Sequence, residues 1–137
     1  MTDFELTAIG LVRSSLTEME MSPRQADEGA PGAWLEFEEG VREALLGIEP
    51  GDELIVLTWL DRASRDVLTV HPRNDAARPA QGVFSTRSPD RPNPIGLHRV
   101  DVTAVEGLRL RVRSLEALDG TPILDVKPVL AADIRLR

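Results

Sequence analysis

The stretch from Gln81 to Val100, QGVFSTRSPDRPNPIGLHRV, constrains this chain more than any other part of it. Three prolines (Pro89, Pro92, Pro94) and two arginines (Arg87, Arg91) fall close together and close on Ile95-Gly96. Each proline fixes its own φ and pushes the residue before it to extended backbone, so Ser88, Arg91 and Asn93 are all turned away from helix. A segment this stiff loses little conformational entropy on ordering. Its polar side chains can be held at defined points with no helix or strand beneath them. A surface linker has no need of that property; a binding site does.

Around this block the pattern is mostly strand. Phe4 to Val12 opens as an apolar-rich strand, and residues 14–33 read as loop, with Gly29, Pro31 and Gly32 as breakers. Ala33 to Phe37 alternates like a short strand. Val41 to Ile48 is the one clear helix candidate, with Val41, Ala44, Leu45 and Ile48 at helical spacing, ended by Gly47 and Pro50. Leu54 to Leu60 is an apolar run broken only by Thr58, the mark of a buried strand, and Asp66 to His71 gives another strand. After the prolines, Leu97 to Val105 and Leu108 to Leu115 form a hairpin about Glu106-Gly107. In its second arm Leu108, Leu110 and Val112 alternate with Arg109, Arg111 and Arg113, so one face is buried and the other wet. Pro122 to Val126 is a last short strand after the turn Asp119-Gly120. Many short strands with one helix predict an all-β barrel or sandwich in a single domain spanning 1–137. No GxGxxG opens a helix after a first strand, which disfavours a Rossmann-type nucleotide site.

Composition removes several classes of function. No apolar run approaches the roughly 20 residues of a membrane span, and MTDFELTAIG carries no basic region followed by an apolar stretch. A cytoplasmic protein without a membrane anchor is the expectation. There is no cysteine, which excludes disulfides, thiol catalysis and thiolate metal sites. The two histidines, His71 and His98, are not spaced as a local metal motif, so no metal is expected, and neither is assigned a catalytic role. Net charge is −7, but it is unevenly distributed: residues 1–60 hold 13 acidic and 3 basic groups, residues 61–137 hold 10 and 13. Positive charge therefore gathers where the prolines are. Fifteen of the sixteen basic residues are arginine, which suits planar recognition of carboxylate or phosphate.

Three blocks, PRQ (Pro23, Arg24, Gln25), TRSPDRPNPIG (Thr86 to Gly96) and DGTPILDVKP (Asp119 to Pro128), resemble in order and separation the signature blocks of the TrmO/TsaA-like methyltransferases. The similarity covers nearly the whole chain. It implies a small β-barrel, a homodimer, and S-adenosylmethionine (SAM) bound near the subunit interface. It also implies methylation of the exocyclic nitrogen of threonylcarbamoyladenosine beside the anticodon of certain tRNAs. By resemblance Pro23, Arg24 and Gln25 line the SAM site, Arg87 contacts SAM, and Leu97 borders the adenine through backbone atoms. Asp119, Gly120, Thr121 and Pro122 match a turn that closes over the cofactor. Asp61 and Arg62 align with a further cofactor-contacting pair, where the family pattern is looser and typically has a histidine. Two departures bear on tRNA. Many bacterial members carry a C-terminal domain that helps to engage it, whereas this chain runs only nine residues past Pro128. Glycines that often precede the proline block are replaced by Asn74, Asp75 and two alanines.

Methyl transfer from a sulfonium is a direct displacement in which the donor brings its own leaving group, so orientation supplies most of the acceleration. Four residues are candidates for the acceptor side, each with a structural alternative. Arg91 and Asn93 contact the acceptor nucleotide, or bond to loop backbone. Asp125 and Lys127 share one face of the last strand. They form a buried pair that orients the acceptor, with Asp125 able to take up a proton, or an ion pair that pins a barrel edge. Two other readings stay open: a SAM-dependent enzyme acting on a small molecule or another nucleoside, and a non-catalytic SAM-binding dimeric module.

Overall fold

Alternation of buried and more accessible residues along β2, β3 and β7 gives each strand one apolar face, and the sheet they belong to closes around those faces. The computed structural model describes residues 2–15, 32–71 and 75–130. Eight strands occur among them: β1 (Gly10–Arg13), β2 (Ala33–Phe37), β3 (Glu53–Trp59), β4 (Thr69–Val70), β5 (Gln81–Gly82), β6 (Ile95–Glu106), β7 (Arg109–Arg113) and β8 (Pro122–Pro128). Six of them close a barrel in the order β1-β2-β7-β6-β3-β8, every pair antiparallel, while β4 and β5 form a separate ribbon. The inward positions are those the alternation selects. Leu35, Val56, Val100, Val102, Leu110, Val112 and Ile123 are buried and make one core.

Closure depends on a short seam in which Gly10 pairs with Ile123 and Leu11 with Pro122. Gly10 has no side chain for a reason: a Cβ there would lie 2.3 Å from the Glu36 carbonyl oxygen on β2. At the other side, β6 and β7 turn through Gly107-Leu108, since Glu106 pairs with Arg109. Gly107 has φ 57°, as a type II′ turn requires at its first central residue.

Three expected elements are shorter or tighter than the sequence pattern indicates. Only Gly10–Arg13 of the Phe4 to Val12 strand enters the sheet; Phe4 and Leu6 are exposed, and among the described residues no partner strand reaches them. Of Asp66 to His71, only Thr69–Val70 pairs, with Gly82 and Gln81. The Val41 to Ile48 helix is instead a 3₁₀ helix over Glu39–Leu45. Gly40 lies within it and Gly47, at φ 93°, follows it, so too few residues remain to offset the cost of nucleating an α-helix. Val41, Leu45 and Ile48 still pack against the core from below, so the apolar spacing served packing without fixing the helix type.

Candidate active site

Strand direction decides where the connections meet. β1, β3 and β7 run one way, and β2, β6 and β8 run the other. The connections β1 to β2, β3 to β6 and β7 to β8 therefore leave the barrel at the same end. Those connections carry the PRQ block, the Asp61-Arg62 pair with the proline block, and the DGTP turn. The 3₁₀ helix and the Gly107 turn lie at the opposite end. Pro23, Arg24 and Gln25 themselves fall outside the described residues.

Two sets of hydrogen bonds order this end, one between the DGTP turn and the end of β1, the other within the β3 to β6 connection. In the first, the Asp119 carboxylate accepts from the Ser14 backbone N–H at 3.0 Å, Gly120 N–H donates to the Val12 carbonyl at 2.7 Å, and Val12 N–H donates to Thr121 at 2.9 Å. Gly120 takes φ 84°, which only glycine adopts freely. Thr121 is buried and its hydroxyl donates to the Leu118 carbonyl at 2.7 Å, closing the turn on itself. The DGTP turn thus holds the residue that leads into the PRQ segment. Pro122 follows as the first residue of β8, paired with Leu11.

The second set ties the turn after β3 to the proline block. Leu60 N–H donates to Pro94 O at 2.8 Å, Arg91 N–H to Ser64 O at 3.0 Å, and Ser64 N–H to the Asp90 carboxylate at 2.9 Å. Asp61 and Arg62 lie exposed on this turn. Pro94 is fully buried and anchors the block.

The arginines of this end fall into distinct roles. Arg91 turns into its own loop and donates to three carbonyls, Thr86 at 3.1 Å, Ser88 at 3.0 Å and Val83 at 2.9 Å. Its contacts are those of the structural alternative. Arg65 lies over the Trp59 ring, 5.1 Å from its centroid, and donates to Pro92 O at 2.8 Å and Asn93 Oδ1 at 2.9 Å. Arg87 is exposed and makes no side-chain hydrogen bond or ion pair among the described residues. Arg65 carries no motif signal in the sequence; only its position across the turn from the proline block reveals it.

The barrel interior is closed at this end. Ser114 adopts φ 68°, and the chain after it buries Leu115 and Ala117 in the core. Thr58 is fully buried, and its hydroxyl pairs with His98 Nε2 at 2.8 Å. Gly96 sits against this pair, where an added Cβ would lie 2.5 Å from Thr58 Oγ1 and 2.8 Å from His98 Nε2. Burial lowers the His98 pKa to about 4, so the ring is neutral at physiological pH.

On the outer face Leu97 projects outward, half-exposed, opposite Leu57, and Ile95 opposite Trp59. Asp125 also pairs with Leu57, from the other side, and Lys127 with Ile55. The two do share a face, as alternation requires, and they form an ion pair at 3.0 Å. The pair is exposed rather than buried, with 48 % of the Asp125 side chain and 62 % of Lys127 accessible. Both lie on the part of β8 that pairs with β3 alone, since the seam with β1 covers only Pro122 and Ile123, so the ion pair does stand along a barrel edge. Asp125 lies at the level of Leu57 and Leu97, whereas Asn93 precedes the Ile95–Trp59 pair at the rim. His71 is exposed, its Nδ1 2.7 Å from the Arg78 carbonyl oxygen.

A cavity of about 630 Å³ lies elsewhere, between the 3₁₀ helix and the barrel, lined by Ile9, Phe37, Val41, Leu45, Leu54 and Val126 among others. It is mainly apolar, and the far end of the third block (Leu124, Asp125, Val126 and Pro128) lines it, whereas no residue of the proline block does. Among the described residues there is no group of three or more His, Asp or Glu placed to hold a metal ion, and no helix long and apolar enough to cross a membrane.

The domain is a six-stranded antiparallel barrel in which the β1 to β2, β3 to β6 and β7 to β8 connections all leave at one end. Residues 11–133 match the family model of the tRNA-methyltransferase O N-terminal domain, and the chain belongs to that family. It is 42% identical over 124 residues to a "Probable S-adenosyl-L-methionine-binding protein" of Archaeoglobus fulgidus, covering 90% of this chain and 33% of the relative. It is 43% identical over 122 residues to an "S-adenosyl-L-methionine-binding protein" of the same organism, covering 89% and 86%. The crystal structure of TrmO from Pseudomonas aeruginosa superposes with a TM-score of 0.77 at 30% identity, covering 96% of this chain and 58% of that one. The chain thus spans a third of the first relative and a little over half of that TrmO chain.

Proposed function

We propose that this chain binds SAM on the rim formed by the PRQ, proline and DGTP segments and transfers its methyl group to the exocyclic nitrogen of threonylcarbamoyladenosine in tRNA. The observation that supports this reading is that the connections bearing the three sequence blocks leave the barrel at one end, where Arg87 is left without a partner among the described residues. SAM supplies an electrophilic methyl group and its own leaving group, and the chain's part is to bind, orient and exclude water. Arg87 suits the SAM carboxylate as a planar, permanently charged donor. Leu97 offers backbone and an apolar side chain to the adenine, with Arg24 and Gln25 as further donors and Asp61, Arg62 and Asp119 to Pro122 as the enclosing turns. Asn93 faces the methyl acceptor, and Arg91 sets the loop that presents it.

The dimer belongs to the same proposal. Ile55, Leu57, Trp59, Ile95 and Leu97 share the outer face of β3 and β6, and a second copy laid there would cover them. Asp125 and Lys127 border this face and would act across the interface. The setting is cytoplasmic.

One observation favours a second reading, a small-molecule or free-nucleoside acceptor. Most basic side chains on the barrel wall are committed to neighbouring acids: Arg99 to Glu53 at 2.9 Å, Arg109 to Glu106 at 3.3 Å and Arg113 to Asp101 at 3.3 Å. Few charges remain for phosphate neutralisation, on which nonspecific RNA affinity rests. Labelled SAM offered in parallel to bulk tRNA and to a small-metabolite pool separates the two. Label in tRNA supports the first reading, and label only in metabolites supports the second. SAM binding without any transfer would leave a non-catalytic module.

A further inference from the structure

Asn93 is held more tightly than an exposed asparagine on a loop needs to be. Its backbone lies between Pro92 and Pro94, the latter fully buried, and Ile95 N–H closes a tight turn onto the Asn93 carbonyl at 2.7 Å. Its side chain is fixed separately. Arg65 Nη2 donates to Asn93 Oδ1 at 2.9 Å while Arg65 Nε donates to Pro92 O at 2.8 Å, and the guanidinium lies over Trp59. A guanidinium has only donors, so the amide oxygen must be the atom that faces it. The amide nitrogen is then turned away, and among the described residues it has no hydrogen-bond partner.

We propose that Arg65 is a positioning residue that presents the Asn93 amide as a donor, so that this position recognises an oxygen of the methyl acceptor, a carbonyl or carboxylate, rather than an N–H group. This rests on the reading above, in which Asn93 faces the acceptor. With Oδ1 engaged by Arg65, Asn93 does not accept the proton released on nitrogen methylation. It holds the acceptor by two N–H groups in a fixed direction. Trp59 contributes a flat support that keeps the guanidinium in the plane required for both of its hydrogen bonds.

Asn93→Asp separates this role from its opposite. The carboxylate keeps Arg65 as a partner, so the variant should be at least as stable to urea as the parent, yet its outward atom becomes an acceptor. The expected result is a rise in KM for bulk tRNA of about tenfold or more, matching Asn93→Ala, the scale of one lost hydrogen bond. SAM affinity by calorimetry should stay within about twofold, since no cofactor contact is removed. Arg65→Ala should raise the same KM, Arg65→Lys should restore it only in part, and Arg65→Ala added to Asn93→Ala should cost nothing further. Retained KM in Asn93→Asp, or fully additive losses in the double variant, would overturn the proposal. A second measurement needs no turnover: ¹⁵N relaxation of the Asn93 side-chain amide should show an ordered NH₂ that becomes mobile in Arg65→Ala. A mobile amide in the parent protein sinks the positioning role, whereas an ordered amide in a protein that methylates nothing counts against the methyltransferase reading alone.

Discussion

Lowering the pH should loosen the end of the barrel that carries the proposed site, through His98. Its ring is enclosed beside Thr58 and Gly96, and no ion pair reaches it among the described residues. Burial therefore acts unopposed and lowers the pKa to about 4 from 6.5. The sign follows from proton uptake: between those values the unfolded chain binds a proton that the folded one does not. The stability from neutral His98 is complete above pH 6.5 and is lost as pH falls from 6.5 towards 4. Linkage between these two values gives a loss of about 2 kcal/mol on going from pH 8 to pH 5. Urea unfolding of the parent and of His98→Gln at both pH values isolates the term, because glutamine keeps a partner for Thr58 but does not titrate. The parent should lose about 2 kcal/mol more than the variant. Equal losses, or an imidazole that titrates near 6.5 by NMR in the folded protein, would refute the argument.

Gly96→Ala should destabilise by about 1–3 kcal/mol in urea, the usual cost of overpacking, and adding Thr58→Ala should recover part of it by removing the atom that the new Cβ meets. Arg87→Ala should weaken SAM binding by about 1.5–3 kcal/mol by calorimetry, the value of a charge-assisted hydrogen bond; unchanged affinity would remove Arg87 from the site. Leu57→Asp and Leu97→Asp place charge on the outer face of β3 and β6, and light scattering should then report monomers where the parent reports dimers. A monomeric parent at micromolar concentration with SAM present would contradict the dimer itself.

Much of this architecture is legible in the sequence because a barrel obeys one local rule. Side chains alternate, so β2, β7 and the body of β6 lie where apolar and polar residues take turns, β3 lies on the continuous apolar run, and the closed all-β fold follows from having many such strands. The misreadings share a cause in that they judged apolarity without its partner. Phe4 and Leu6 look like strand residues, but among the described residues no strand lies beside them. Val41, Leu45 and Ile48 have helical spacing, yet a connection broken by Gly40 and Gly47 packs the same side chains from a 3₁₀ helix. Asp125 and Lys127 lie on one face as predicted, but alternation cannot tell an outer face from a covered one, and theirs is exposed in the single chain.

The arginines mark the limit of sequence reading more sharply, because as letters they are equivalent. Arg65, Arg87 and Arg91 all flank or lie within the segment that connects β3 to β6. Loop geometry alone assigns Arg91 to three backbone carbonyls, Arg65 to a carbonyl and an amide oxygen, and Arg87 to solvent. Exposed cations contribute little to stability, so Arg87 is not held in place by anything the fold gains from it. Arg91 is different. Without it three carbonyls on one loop lose their donor, and the turn that offers Arg87 and Asn93 to a ligand loses its shape. A site of this kind needs both sorts of arginine, one that builds the rim and one that the rim leaves free. Substituting the builder should therefore impair cofactor and acceptor binding together, whereas substituting the free one should impair the cofactor alone.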